Sequence, residues 1–233
     1  MAHTDTFDLA DLQSVAEQVG ERLPSIAPVS GPEPGSGDIQ ADPIPGAAPE
    51  LSETFALCIL GQDAIEAPAP GGAPAQGLEE RVIQTDQRHH QIRMGGQAAA
   101  FARSTAANSS PTVLKDSNGN NFVNPPGAGG PEVMALFTSE LAEQIDRGVD
   151  WIDQNVAGDP LVRLLVVPAY YVHALWLTED GRDQVLVVDR PDSLTALNYQ
   201  TLYDGADFLT LLAQHGPIQG LPDQLPPSGP TTP

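Results

Sequence analysis

Two residues of this 233-residue chain have the types and placement for proton transfer. His173 and Asp189 fall on the two arms of a hairpin predicted over residues 170–189. An imidazole oriented by a carboxylate is a general base, and a nucleophile would complete the set. The one thiol in the chain is Cys58, within the apolar string TFALCIL. Strand residues alternate between faces. An odd number of loop residues between the last paired positions therefore puts His173 and Asp189 on one face, and an even number separates them. The competing expectation is a strand histidine packed beside Tyr171, Leu175 and Leu177, its nitrogens satisfied locally. Tyr170, Tyr171 and Trp176 are candidates for a ligand surface or, as aromatics on a buried hairpin, for core. His89 and His90 are adjacent and point to different sides of a predicted helix, with Asp86 the nearest carboxylate. A metal there needs remote ligands, and no metal or other cofactor is expected. Gly-x-x-x-x-Gly-Lys, Gly-x-Gly-x-x-Gly, His-Glu-x-x-His and Gly-x-Ser-x-Gly do not occur in the chain.

The string HALWLTEDGRDQVLVVDRP, from His173 to Pro191, resembles the His and Asp strands of papain-like thiol hydrolases, including transglutaminase-like and C39-like peptidases. The resemblance implies a Cys nucleophile at the start of an earlier helix, deprotonated by His173, with Asp189 orienting the ring. The chain departs from that pattern where the predicted helix begins: the sequence there is Ala128-Gly129-Gly130-Pro131-Glu132, and Gly129 stands nearest the place of the Cys. Cys58 is then the remaining candidate nucleophile.

Charge narrows the partners. Ten basic residues against 31 acidic give a net charge of −21, which opposes contact with phosphate backbones and anionic lipid. Neither nucleic acid nor membrane is expected as a partner. Residues 1–80 hold one basic and 14 acidic residues, and residues 116–233 hold four and 16. Between them lies a positive island, residues 81–115, with Arg81, Arg88, Arg93, Arg103 and Lys115 against Asp86 alone. The island can bind an acidic block of its own chain or of a second copy, which makes self-association a further expectation, beside a simple solvated helix. A single Cys excludes an intramolecular disulfide. The first twelve residues carry three Asp and lack the basic, then apolar, character of a secretory leader, so a cytoplasmic protein is expected.

The elements that must position these residues follow from periodicity. Residues 1–23 hold an amphipathic helix with Leu9, Leu12, Val15 and Val19 on its apolar stripe. Residues 24–77 read as a flexible Pro/Gly-rich linker, interrupted by a short apolar segment at 51–65 that suits one or two helical turns. Within residues 78–127, the spacing of Leu78, Val82, Thr85, His89, Ile92 and Ala99 predicts a helix over 78–107, broken at Gly95-Gly96. Asn118-Gly119 predicts a small hairpin over 112–123. Residues 128–216 form the expected compact domain. Its order is a helix from Gly130-Pro131 to Ile152, a strand over 161–167, the hairpin turning at Asp180-Gly181, and a helix over 206–214. A Pro-rich tail, residues 217–233, follows.

The expected fold class is therefore α+β: a small antiparallel sheet packed by two helices in the C-terminal half, after a largely disordered N-terminal region carrying short helices. The expected function is that of a non-enzymatic adaptor or accessory protein. Leu9, Leu12, Val15 and Val19 would dock the tethered helix on a protein partner while the domain holds another. The alternative is a papain-like thiol hydrolase, or a degenerate relative, using His173, Asp189 and Cys58.

Overall fold

A computed structural model of the chain describes residues 3–4, 9–22, 48–65, 77–105, 113–115, 121–123, 132–137 and 140–218. The expected linker at 24–47, the Pro-rich stretch at 66–76 and the tail beyond 218 lie outside the described residues.

The chain builds a nine-stranded mixed sheet rather than a small antiparallel one. In chain order its elements are β1 (His3–Thr4), α1 (Leu9–Arg22), β2 (Pro49–Ile59), α2 (Gln62–Ile65), β3 (Ile83–Met94), β4 (Gln97–Thr105), β5 (Val113–Lys115), β6 (Asn121–Val123), β7 (Glu132–Phe137), α3 (Glu140–Asn155), β8 (Leu161–Val167), β9 (Val172–Glu179), β10 (Arg182–Asp189), β11 (Leu202–Asp204) and α4 (Gly205–His215). The strand order is β11-β10-β9-β8-β2-β3-β4-β7, with β1 continuing along β8 and β5–β6 forming a separate hairpin. Every neighbouring pair is antiparallel except β2 with β8 and β1 with β8.

The sheet is thus two four-stranded meanders that start side by side at its centre. Each is preceded by a helix, α1 or α3, and the two helices cover opposite faces. Such an arrangement is a pseudo-twofold rotation about an axis lying in the sheet between β2 and β8. On one face α3 packs Ile145 and Ile152 against Phe55, Leu57, Leu164, Leu175 and Leu186. On the other, α1 sets Val15 and Val19 on Ile92, Ala100, Ala102 and Val133, while α4 sets Phe208 and Leu212 beside Cys58, Val167, Trp176 and Val185. Gly148 lets α3 approach β10 closely: a Cβ there would lie 2.6 Å from Val188 Cγ1. Among the described residues, no helix is long and apolar enough to cross a membrane.

Three sequence expectations are corrected. The helix expected over 78–107 is the β3–β4 hairpin, turning at Gly95 (φ 60°) and Gly96 (φ 83°), two left-handed residues that suit a type I′ turn. The apolar segment at 51–65 is mostly β2, the long central strand, followed by the single turn of α2. The helix expected from Gly130-Pro131 is divided, its first half forming β7 and its second half α3. The N-terminal half therefore supplies half of the sheet. The hairpins β5–β6 and β9–β10, strand β8 and helices α1 and α4 lie where their residue patterns put them.

Candidate functional site

His173 and Asp189 are cross-strand partners, with Nδ1 of the imidazole 3.2 Å from Oδ2 of the carboxylate. The two-residue turn at Asp180-Gly181 pairs Glu179 with Arg182, a register that by itself would place Val188 opposite His173. A bulge between Val187 and Asp189 adds one residue and brings the carboxylate to the imidazole. Both side chains are partly exposed. Cys58 is fully buried and packs with Ala174 and Trp176, so it lies on the face opposite His173, whose alternation matches Leu175. The sheet separates thiol from base. Tyr170 and Trp176 are core, the Trp176 indole donating to Asp183 at 3.0 Å, while Tyr171 is half-buried in the left-handed region at φ 53°.

Leu9, Leu12, Val15 and Val19 belong to α1, which is laid on the sheet. Val15 and Val19 are each 1% exposed and pack on Ile92, Ala100, Ala102 and Val133 of β3, β4 and β7, and Leu12 is half-buried. Three arginines of the basic island have partners within the chain. Arg88 pairs with Asp11 at 3.3 Å, Arg81 donates to the Ala64 carbonyl at 2.7 Å, and Arg93 meets Asp146 at 2.5 Å and Glu53 at 3.6 Å. The Asp146 carboxylate holds the Arg93 guanidinium above its ordinary range, chiefly by hydrogen bonding.

A second polar constellation lies where β2, β3 and β4 pair. On the α1 face, His90 Nε2 lies 2.7 Å from Ser104 Oγ and its Nδ1 lies 3.0 Å from Thr54 Oγ1. Ser, His and Thr in line have the outline of a nucleophile, a base and an orienting group. All three are buried, however, and burial, aided by the charge of Arg88, pushes His90 down to about 4. So weak a base, shut away from substrate, is a structural link. Each hydroxyl can donate or accept, so either tautomer of the neutral ring is satisfied.

The opposite face of the same hairpin is different. His89 is fully buried, stacked on Phe101 with ring centroids 4.7 Å apart, and directly opposite Arg103 in the register. Gln91 donates to the Ala142 carbonyl of α3 at 2.7 Å, which turns its Oε1 toward His89 Nε2, 3.2 Å away. Nε2 therefore carries the proton, and Nδ1 is left as a buried acceptor with no partner. Arg103 Nε and Thr105 Oγ1 are also buried without hydrogen-bond partners. Burial, then the charges of Arg103, His90 and His173, drive His89 well below the ordinary imidazole range against the pull of Gln91. Burial alone lowers Arg103. The signal available in the sequence was the alternation of Gln87, His89 and Gln91 with Arg88, His90 and Ile92, a period of two.

Among the described residues, no group of three His, Cys, Asp or Glu is placed to hold a metal ion. Two shallow clefts flank the C-terminal half. One, of about 310 Å³, lies at the β9–β10 turn and is lined by Glu79, Glu179, Asp180, Arg182 and Asp183, among others. The second, of about 360 Å³, lies between α3 and Tyr199. Comparison with protein-family models, characterised proteins and solved structures finds no match to this chain.

Proposed function

We propose that the chain is a non-enzymatic binding protein of the cytoplasm whose acidic outer surface holds a basic protein partner. The distribution of charge carries this reading. Among the described residues sixteen Asp and Glu side chains are exposed, against three Arg: Arg22, Arg147 and Arg182. The remaining described arginines are spent inward. They meet acids or carbonyls, as Arg81, Arg88 and Arg93 do, or lie over rings, as Arg163 does over Trp176 and Arg190 over Tyr199. An outer surface of one sign steers an oppositely charged partner and rejects a like one. The cleft at the β9–β10 turn concentrates that field, four acids facing one arginine.

A lysine-rich peptide titrated into the full chain and followed by calorimetry tests the reading. Saturable binding is expected, lost in 0.5 M salt by screening on the order of the ~3–10 Å Debye length and weakened about tenfold by E179K/D180K. Equal weakening by E17K/E21K on α1 would show a diffuse attraction with no docking surface. No saturable binding, together with stability that rises in molar potassium chloride, would assign the acidic surface to salt tolerance and end the proposal.

A further inference from the structure

We propose that the α3 face of the β3–β4 hairpin is a binding site for a small carboxylate or similar oxyanion, held by Arg103 with Thr105 and His89 beside it. The inference is independent of the acidic surface. Among the described residues the Arg103 guanidinium has no hydrogen-bond or ion-pair partner, only the Phe101 ring 5.8 Å from its Cζ. The chain holds 31 acids, and Arg93, on the neighbouring strand, has two of them. The Arg103 Nε is buried and unpaired although the residue as a whole is partly exposed, and a charged donor held so without a counter-charge is costly.

Register brings the other groups to the same place. His89 is directly opposite Arg103 and Gln87 opposite Thr105, so these four side chains share one face within ~5–8 Å of one another. Two further polar atoms that lack partners, His89 Nδ1 and Thr105 Oγ1, are fully buried there. An oxyanion accepts from Arg103 Nε–H and from the Thr105 hydroxyl. A protonated acid oxygen, or the imidazole after taking up that proton, satisfies Nδ1. Phe101 and Phe55 flank His89 with ring centroids 4.7 and 6.3 Å away, which favours a carboxylate with a short apolar body over a highly hydrated anion. Arg103 is partly exposed and marks the entrance, while His89 is enclosed.

The test uses the full chain, with the His89 ring followed by ¹⁵N NMR while sodium acetate, sodium phosphate or a glutamate-containing pentapeptide is added at constant ionic strength. A saturable shift of the His89 signals is expected, with affinity reduced at least about tenfold in R103M and reduced also in T105V. Response to acetate identifies a free small carboxylate, response to phosphate alone a phosphoryl ligand, and response to the peptide alone a side-chain carboxylate from a protein; each supports an oxyanion site. R103M removes the charge while keeping volume, so it is expected to fold. Unmoved His89 signals with all three probes, together with R103M more stable than the parent chain, would overturn the proposal.

Discussion

The two meanders are related by the same pseudo-twofold axis, yet their interiors obey different rules. Strands β8, β9 and β10 bury Val, Leu, Ala and Trp on both faces, between α3 above and α4 below. All seven buried polar residues of the described chain, Thr54, Gln87, His89, His90, Gln91, Ser104 and Thr105, are on β2, β3 and β4. One half is held by apolar contact, which is indifferent to direction and to pH. The other depends on hydrogen bonds between uncharged groups, so its stability is conditional on protonation state.

Truncation in the apolar half is expected to have the largest effect. Leu164 is fully buried at the sheet centre, and L164A should cost about 2–5 kcal/mol in denaturant unfolding, with little change in the cost between pH 7 and pH 5. If that cost is below 1 kcal/mol, roughly the level of a surface change, the centre of the sheet is not packed as described.

Acidification should find the other half. His90 is lowered from 6.5 to about 4 in the folded chain, so the unfolded chain takes up the proton first. Stability is full above pH 6.5 and falls as pH drops from 6.5 toward 4, by about 3 kcal/mol for this group. His89 acts in the same direction. Hydrogen exchange should show β3 and β4 amides losing protection before those of β8 to β10, and H90Q should flatten the pH slope. A uniform loss across both halves would remove the distinction between them.

S104A is expected to be smaller still, about 1–3 kcal/mol at pH 7, because it leaves His90 Nε2 buried without a partner. Measured by denaturant unfolding, its cost should stay level between pH 7 and pH 5, since protonation of the unfolded chain lowers the stability of parent and variant alike.

The same contrast explains what could be read from the residues alone. Leu161 to Val167 is a run of branched apolar residues, and Asp180-Gly181 is turn chemistry, so β8 and the β9–β10 hairpin were legible. In β3 the apolar members are few, and positions spaced three and four apart happen to include Val82, His89 and Ile92. Helical periodicity was thus imitated by residues that alternate faces on a strand, and Gly95-Gly96 passed for an interruption instead of the turn it is. The His173–Asp189 contact was half legible. Its strands could be placed, but the bulge that sets its parity has no signature in Val187-Val188-Asp189. The unpartnered atoms around Arg103 were out of reach, since they exist only once β3 and β4 are paired in register.

The parallel seam at the centre of the sheet has a consequence for biosynthesis. Strand β2 finds β3 locally, but its other edge waits for β8, with Leu57 opposite Leu164. During vectorial synthesis, Phe55 and Leu57 emerge from the ribosome long before the strand and the helix α3 that will cover them. Long-range pairing of this kind is slow and leaves an apolar edge open to neighbours. The nascent N-terminal half should therefore be a client for chaperones until the second meander has left the exit tunnel, and the seam closes only after β8 has emerged.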